Sequence, residues 1–445
     1  MKVGFDFRAM QAGHQLRGIG EVLRNAVTEL DARLPATDVF VFASESRPPE
    51  VGHLVDELVT SGRPIEQVVV PAPPSDLRRL DRLRDNLSAE QQRAFDAADV
   101  LIQVDFGLGL PERVPTVLFV HDLIPLELGD RYPHRYLPRY RAARRRGMPV
   151  VDAATRAARR RLYIRNLARA LTRADRVLTN SAYTAATTER FAAAHGVDGL
   201  AGRLRVARLG SRNDDAARSA LNVLERARLE AIGLDVRPTV FFVGGADERR
   251  RLDLLVDAFN HLRSRGHDLQ IVLAGDTLAT LDTLAVQSAR DAIRASSYRD
   301  DIHLLGYVSR GQRQWLYEHA AALVFPSEME GFGLPVVEAL AAGCPVVAFD
   351  NSAMREVAGP GCHLVGESWR ELAGGIAEVL DLDPTARAAE VDAGRRWARE
   401  FTWDRFGTVM AAAVEQLRPS RVAGLRNDRP PGAPGDPGQR GLATK

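Results

Sequence analysis

Two carboxylates with seven residues between them, Glu330 and Glu338, bracket the run Gly331-Phe332-Gly333-Leu334-Pro335. Glutamates at this spacing mean little by themselves in a chain with 58 acidic residues, where a solvated helix face is the ordinary reading. What distinguishes them is the glycines they enclose. Gly331 and Gly333 permit positive φ and close backbone approach, so a loop here can turn N–H groups toward an anion at a helix N-terminus. Glu330 closes that loop. Glu338 would lie on the first turns of the helix, its Cβ tilted back toward the N-terminus, so that both carboxylates can face one pocket. A pocket that offers N–H donors to phosphate and carboxylates to hydroxyls suits a nucleotide sugar.

The flanking elements place this loop. Ala321-Ala322-Leu323-Val324-Phe325 is a short apolar run stopped by Pro326 and reads as a buried strand. Val336 to Ala342 reads as a short apolar helix, with Pro335 in its first turn, Gly343 at the position of a left-handed cap and Pro345 barring continuation. Strand, glycine loop and helix in that order put the carboxylates at the carboxyl end of a strand, where open α/β sheets bind ligands.

In that context the block resembles the paired-glutamate signature of the retaining GT-B glycosyltransferases, a large family of the family-four type that includes glycogen synthase-like enzymes and bacterial mannosyl- and glucosyltransferases. The resemblance implies an α/β, GT-B fold: two Rossmann-like doubly wound domains facing a central cleft, the second holding the nucleotide sugar. It covers roughly residues 1–415 and is strongest from Thr239 to Val357. By the same resemblance Glu330 and the backbone of Gly331, Phe332, Gly333 and Leu334 hold the sugar, and Glu338 binds the ribose. Tyr307 and Val308, after the strand beginning at Ile302, lie against the base. His121, at the end of the strand Thr116 to Val120, contacts the sugar from the first domain. A histidine at a strand end is otherwise often a plain cap.

The turn after Thr239-Val240-Phe241-Phe242-Val243-Gly244-Gly245 also matches, with a departure. Members of the family usually carry Arg-Lys-Asn there, and this chain has Arg249-Arg250-Arg251. Gly245 and the two arginines Arg249 and Arg250 fall where the donor diphosphate lies. Arg250 keeps the charge of the usual lysine but replaces a point ammonium with a planar fork, which alters the fine geometry of donor binding. Near the N-terminus, Gly18-Ile19-Gly20 follows the strand Lys2 to Phe7 and precedes a helix expected from about Glu21 to Leu30. Its glycines do not form the dinucleotide fingerprint. They fit either the family's glycine-rich loop against the donor or acceptor, or a plain tight turn.

The remaining chain supplies alternating strands and helices. Strands are expected at Val39–Ala43, Gln67–Val70, Val100–Val104, Arg176–Ser181, Leu204–Ala207, Gln270–Gly275 and Val346–Phe349, the alternation that builds doubly wound domains. The expected boundaries are 1–212 for an acceptor-side domain, 213–238 for a linker and 239–400 for the nucleotide-sugar domain. A helix over 401–417 crosses back to the first domain, and a Pro-, Gly- and Arg-rich disordered tail spans 418–445. After His363 the chain reads as helical. Arginines crowd between Arg135 and Arg173 with Asp152 the single acidic residue among them, and a basic helix there suits a solvated face, an anionic membrane surface or a lipid-phosphate acceptor. No recognition motif accompanies this charge, so nucleic acid is not expected as a partner.

Composition sets the outer bounds. The chain has 445 residues, 45% hydrophobic and 27% charged, with a formal net charge of +2. Length allows two or three domains, each with its own core. Cys344 and Cys362 are too few for a disulfide framework or a zinc site and suit a reducing compartment. Residues 1–7 lack the apolar stretch of a signal peptide, and no apolar run is long enough to span a membrane. The expectation is a hexosyltransferase, cytoplasmic or peripheral at the inner face of a membrane, that works without cofactor or metal and joins a nucleotide-sugar donor to a hydroxyl acceptor. Two alternatives carry the same fold: a sugar-nucleotide epimerase, and a non-catalytic nucleotide-sugar binder.

Overall fold

A computed structural model describes residues 1–10, 18–45, 49–71, 87–129, 149–211, 221–234, 236–245, 247–275, 278 and 287–419. The first sheet contains β1 (Lys2–Asp6), β2 (Val39–Ser44), β3 (Ile65–Val69), β4 (Val100–Gln103), β5 (Thr116–Val120), β6 (Arg176–Thr179) and β7 (Leu204–Val206). Their spatial order is β3-β2-β1-β4-β5-β6-β7, and every neighbouring pair is parallel. The second sheet contains β8 (Thr239–Val243), β9 (Gln270–Ala274), β10 (Ile302–Gly306), β11 (Ala322–Phe325), β12 (Val346–Phe349) and β13 (Cys362–Val365), ordered β10-β9-β8-β11-β12-β13 and again all parallel. Both sheets are doubly wound in the Rossmann sense. In each, the order reverses between the first and fourth strands, and that switch point is where such sheets bind ligands.

Parallel strands are covered by helices on both faces, which is why these read as unbroken apolar runs. In β5, Val117 and Phe119 join a core with Phe5 and Phe42, while Leu118 and Val120 point the other way to Leu167 and Leu171. The latter two lie on a long helix, α2 (Pro149–Arg173), which follows α1 (Gly18–Arg33) among the labelled helices. After them come α3 (Ala182–Ala194), α4 (Leu252–Ser264), α5 (Arg310–His319), α6 (Leu334–Ala342) and α7 (Trp403–Glu415).

The expected strands are present, with shifts at their ends, and two local readings change. The helix expected from Glu21 begins at Gly18, so Gly18 and Gly20 occupy its first turn. The stretch after His363 is not wholly helical, because Cys362–Val365 adds the edge strand β13, pairing only with β12. A helix, Val223–Glu230, lies within the segment expected as a linker, whose polar, charged composition is helix-prone. The disordered tail expected from 418 lies, beyond residue 419, outside the described residues. So do the arginines from Arg135 to Arg146.

The last helix returns to the first sheet. Phe406 of α7 sits 5.9 Å from Phe119 of β5, Arg33 of α1 is ion-paired with Asp404, and Gly407 abuts Glu29. The turn into α7 needs a glycine opposite it: a Cβ on Gly210 would fall 2.2 Å from the backbone nitrogen of Trp403. Gly210→Ala should therefore destabilise by about 1–3 kcal/mol, the cost typical of overpacking. Gly202→Ala, where a Cβ meets nothing within 4 Å, serves as the control. Parallel thermal melts check this; equal melting temperatures would remove Gly210 from the packing of α7.

Candidate active site

The loops after β8 and β11 flank the switch point of the second sheet. At the end of β8 the strands are so close that a Cβ on Gly275 would meet the Gly244 carbonyl at 1.9 Å. The chain then makes a 3-10 turn over Glu248–Arg250 and passes through Arg251, whose φ of 44° is left-handed. Asparagine tolerates that region better than arginine does, which gives a reason for the family's usual residue there. Arg251 is held by Asp253 and by Glu328, both at 3.0 Å. The two loops are also tied through their backbones, since the Glu328 N–H donates to the Arg249 carbonyl at 2.8 Å.

Glu330 is buried and takes two guanidiniums. Arg249 Nη1 donates to its Oε1 at 2.6 Å, and Arg250 is ion-paired with the same oxygen. Arg249 also pairs with Asp247 at 3.0 Å, while Arg250 donates to Ser327 Oγ and lies over the Phe325 ring. Burial pushes the Glu330 carboxyl up, but Arg249 and Arg250 outweigh it and hold the pKa below its ordinary value. Both arginines are only 12% exposed, so they are not free residues at the opening of a helix.

Gly331 and Gly333 have separate tasks. Gly333 takes φ 97° at the start of α6, where a Cβ would strike Met354. At the other end of α6, Gly343 is left-handed, and the Cys344 and Gly343 N–H groups close on Ala339 and Leu340, a Schellman end. Gly331 is where the domains meet. A Cβ there would fall 2.1 Å from the His121 carbonyl oxygen and 2.9 Å from Asp122 Cβ. Its own carbonyl accepts from Ser181 Oγ at 2.6 Å and Thr184 Oγ1 at 3.1 Å, both at the N-terminus of α3. Asn180 donates to the His121 carbonyl at 2.8 Å, so the ends of β5 and β6 are fixed together beneath the loop.

The structure thus brings His121, Arg249, Arg250, Glu330 and Gly331 together across the cleft, with the His121 ring against Phe119. It separates Glu338 from them. Glu338 faces α5, accepting from the Tyr317 hydroxyl at 2.9 Å and pairing with Arg313 at 3.2 Å. It lines a cleft with Glu21, Arg310, Leu334 and Trp403, among others. The two carboxylates are thus held by different cations, Glu330 beside the β8 loop and Glu338 against α5. The Phe332 ring is 3% exposed and stacks edge-on to Phe401 at 5.8 Å, so its side chain packs the core and only its backbone is left for the role the resemblance implies. Tyr307, just past β10, is 56% exposed, with Val308 and Gly245 partly buried.

Several residues of the site carried no role in the sequence reading. Asp122 lies within electrostatic reach of Arg249 and Glu330; burial raises its pKa, against the pull of Arg249. Its only sequence signal was its place after His121. Asp247, Arg313 and Tyr317 had none beyond their residue type, whereas Ser181 follows a strand and precedes a helix as a cap does. Among the described residues no group of three His, Cys, Asp or Glu side chains is placed to hold a metal ion.

Comparison with known proteins agrees with this geometry. Residues 230–397 match the family model described as Glycosyl transferases group 1. The alpha-D-kanosaminyltransferase of Streptomyces kanamyceticus is 30% identical over 187 residues, 41% of this chain and 47% of that protein. The phosphatidyl-myo-inositol mannosyltransferase of Mycobacterium tuberculosis is 32% identical over 220 residues, 46% of this chain and 55% of that one. The matched region thus spans about half the length of these curated relatives. Among solved structures, sucrose-phosphate synthase from Thermosynechococcus elongatus superposes with TM-score 0.66 at 17% identity, covering 94% of this chain and 99% of that one. Anabaena HepE in complex with UDP-glucose does so with TM-score 0.66 at 17% identity, covering 94% and 100%. The fold is GT-B. Over residues 230–397 the second domain is similar to the group 1 glycosyl transferases.

Two predictions follow from the geometry. Gly331→Ala should break the contact with His121 and open the domains, lowering the melting temperature and expanding the particle in small-angle scattering; an unchanged profile would detach Gly331 from domain closure. Arg250→Ala should cost on the order of 10²–10³ in kcat, as loss of one oxyanion donor does, with donor KM changing less. Arg250→Lys restores the family's usual residue and should retain much of the activity. Wild-type kcat in the alanine variant would exclude Arg250 from the chemistry.

Proposed function

We propose that this protein transfers a hexosyl group from a nucleotide sugar to a hydroxyl acceptor with retained anomeric configuration. The observation that carries this reading is the pairing of Arg249 and Arg250 with Glu330 at the carboxyl ends of β8 and β11. Two guanidiniums at a switch point suit a diphosphate, whose negative charge grows as the glycosidic bond breaks, and charge-assisted bonds from arginine are the strong kind. Glu330 would exchange from the arginines to a sugar hydroxyl as donor binds. The work is stabilisation and positioning rather than covalent catalysis. The arginines supply what a divalent cation would, so we place the reaction in the metal-independent class.

UDP- and GDP-hexoses are the donors to test: HepE was solved with UDP-glucose, and relatives are named as mannosyl- as well as glucosyltransferases. Incubated with these donors and EDTA, the protein should slowly release nucleoside diphosphate, and an acceptor should gain a sugar whose anomeric NMR signal matches the donor's configuration. Isomerised sugar nucleotide would instead identify an epimerase. Binding without turnover would identify a sensor, and activity lost to EDTA and restored by manganese would overturn the metal-free mechanism.

The acceptor we propose is a glycan, a lipid-linked sugar or a small polyol, reached by a cytoplasmic protein at the inner face of a membrane. Arg161, Arg165 and Arg169 recur at four-residue spacing on the exposed face of α2, while Leu167 and Leu171 are buried. That face offers charge without an inserted apolar stripe. No helix among the described residues is long and apolar enough to cross a membrane. Reversing these three arginines to Glu should weaken binding to anionic liposomes, since each basic residue near such a surface contributes about 1 kcal/mol. Unchanged binding, or none by the native protein at low salt, would make α2 a solvated face.

A further inference from the structure

Glu338 is held in a way its place on α6 does not require. Arg313 and Tyr317 stand four residues apart on α5, hence on one helix face, and between them they engage both of its oxygens. Tyr317 donates to Oε2 at 2.9 Å and Arg313 pairs with Oε1 at 3.2 Å. The tyrosine is 2% exposed, and burial followed by the neighbouring Glu338 charge raises its pKa, so its hydroxyl stays protonated as a donor. Glu338 nevertheless opens onto the cleft that it lines with Glu21, Arg310, Leu334 and Trp403. If α5 and α6 needed only to be joined, an apolar contact of equal volume would serve as well or better than a buried charge.

A carboxylate has about four lone-pair sites. Tyr317 and Arg313 take one on each oxygen and leave capacity on both toward the cleft that the three residues line together. We infer that Tyr317 and Arg313 are positioning residues that lock Glu338 as a two-oxygen acceptor for a vicinal diol, the 2′- and 3′-hydroxyls of the donor's ribose. This rests on the proposed nucleotide-sugar function and on the ribose contact that the family resemblance implies for Glu338, and adds to it the elements that give the carboxylate its orientation. Tyr317→Phe removes one oxygen atom from the holder and keeps its shape, so Oε2 gains a freedom that costs affinity only for a ligand offering the diol.

The test is calorimetric titration of the full chain with UDP, GDP and their 2′-deoxy counterparts. The native protein should prefer the ribose form of its nucleotide by about tenfold, the worth of roughly one hydrogen bond. In Tyr317→Phe and Arg313→Gln that preference should collapse toward unity through weaker ribose binding, with affinity for the deoxy form unchanged. Arg313→Lys should recover part of it. In turnover assays the same variants should raise donor KM and leave kcat nearly constant. Equal weakening of ribose and deoxy forms would show a merely structural role, and a preference that survives in both variants would overturn the inference alone. Failure of the native protein to bind any of the four would overturn the nucleotide-sugar reading and this inference with it. Arg313, being partly exposed, keeps the test decisive should Tyr317→Phe fold poorly.

Discussion

The close approach of Gly331 to the His121 carbonyl governs how the two domains can act together. A loop that had any side chain at this position could not lie there, because its Cβ would overlap the oxygen by more than 1 Å relative to ordinary contact. The same peptide turns its carbonyl onto the Ser181 and Thr184 hydroxyls at the start of α3. Glu356, from the second domain, caps that helix by accepting from the Ala182 N–H at 2.7 Å and pairs with Arg208 at 2.8 Å. The N-terminus of α3 is therefore satisfied largely by groups of the other domain. Opening the cleft would leave these donors to water and would part Asp122 from the Arg249–Glu330 cluster.

Within that cluster opposite charges are paired. Arg249 and Arg250 are matched by Glu330 and Asp247, all largely removed from solvent. Two unmatched guanidiniums so placed would be costly, and a buried carboxylate without them more so. Glu330 thus occupies for the arginines the role that a phosphate would take. The depressed pKa of its carboxyl is the mark of that bond, its stabilisation being present above the ordinary carboxylate range and lost as pH falls through the lowered value.

How much of this was legible in the sequence depended on whether a feature is local. The apolar runs of β8, β11 and β12 and the proline and glycine that open and close α6 are local signals, and the structure follows them closely. Gly18 and Gly20 read as a loop from their residue type alone, whereas the structure carries the helix back through them. Cys362–Val365 lacks both alternation and a full apolar run, since it is an edge strand half open to solvent; only its partner β12 makes it a strand. Phe332 sits between two glycines of a functional motif, yet its ring is claimed by Phe401, some seventy residues later in the chain. No spacing within the motif could reveal that partner. The grip of Arg313 and Tyr317 on Glu338 is likewise a property of two packed helices.

The separate partners of Glu330 and Glu338 then have a physical sense. Left without cations, two carboxylates on one loop-and-helix unit would repel each other, raising one pKa, and would oppose a ligand that already carries a diphosphate. Each instead has its own cations: Arg249 and Arg250 for Glu330, Arg313 for Glu338. In the proposed reading an arriving diphosphate competes for the first set because those arginines sit at the strand ends, while the second set stays with its carboxylate, anchored by a tyrosine on the same helix face. The site would in this way release one acidic group to a new partner and keep the other fixed, which makes a paired set of like charges in one helix-and-loop unit compatible with an anionic ligand.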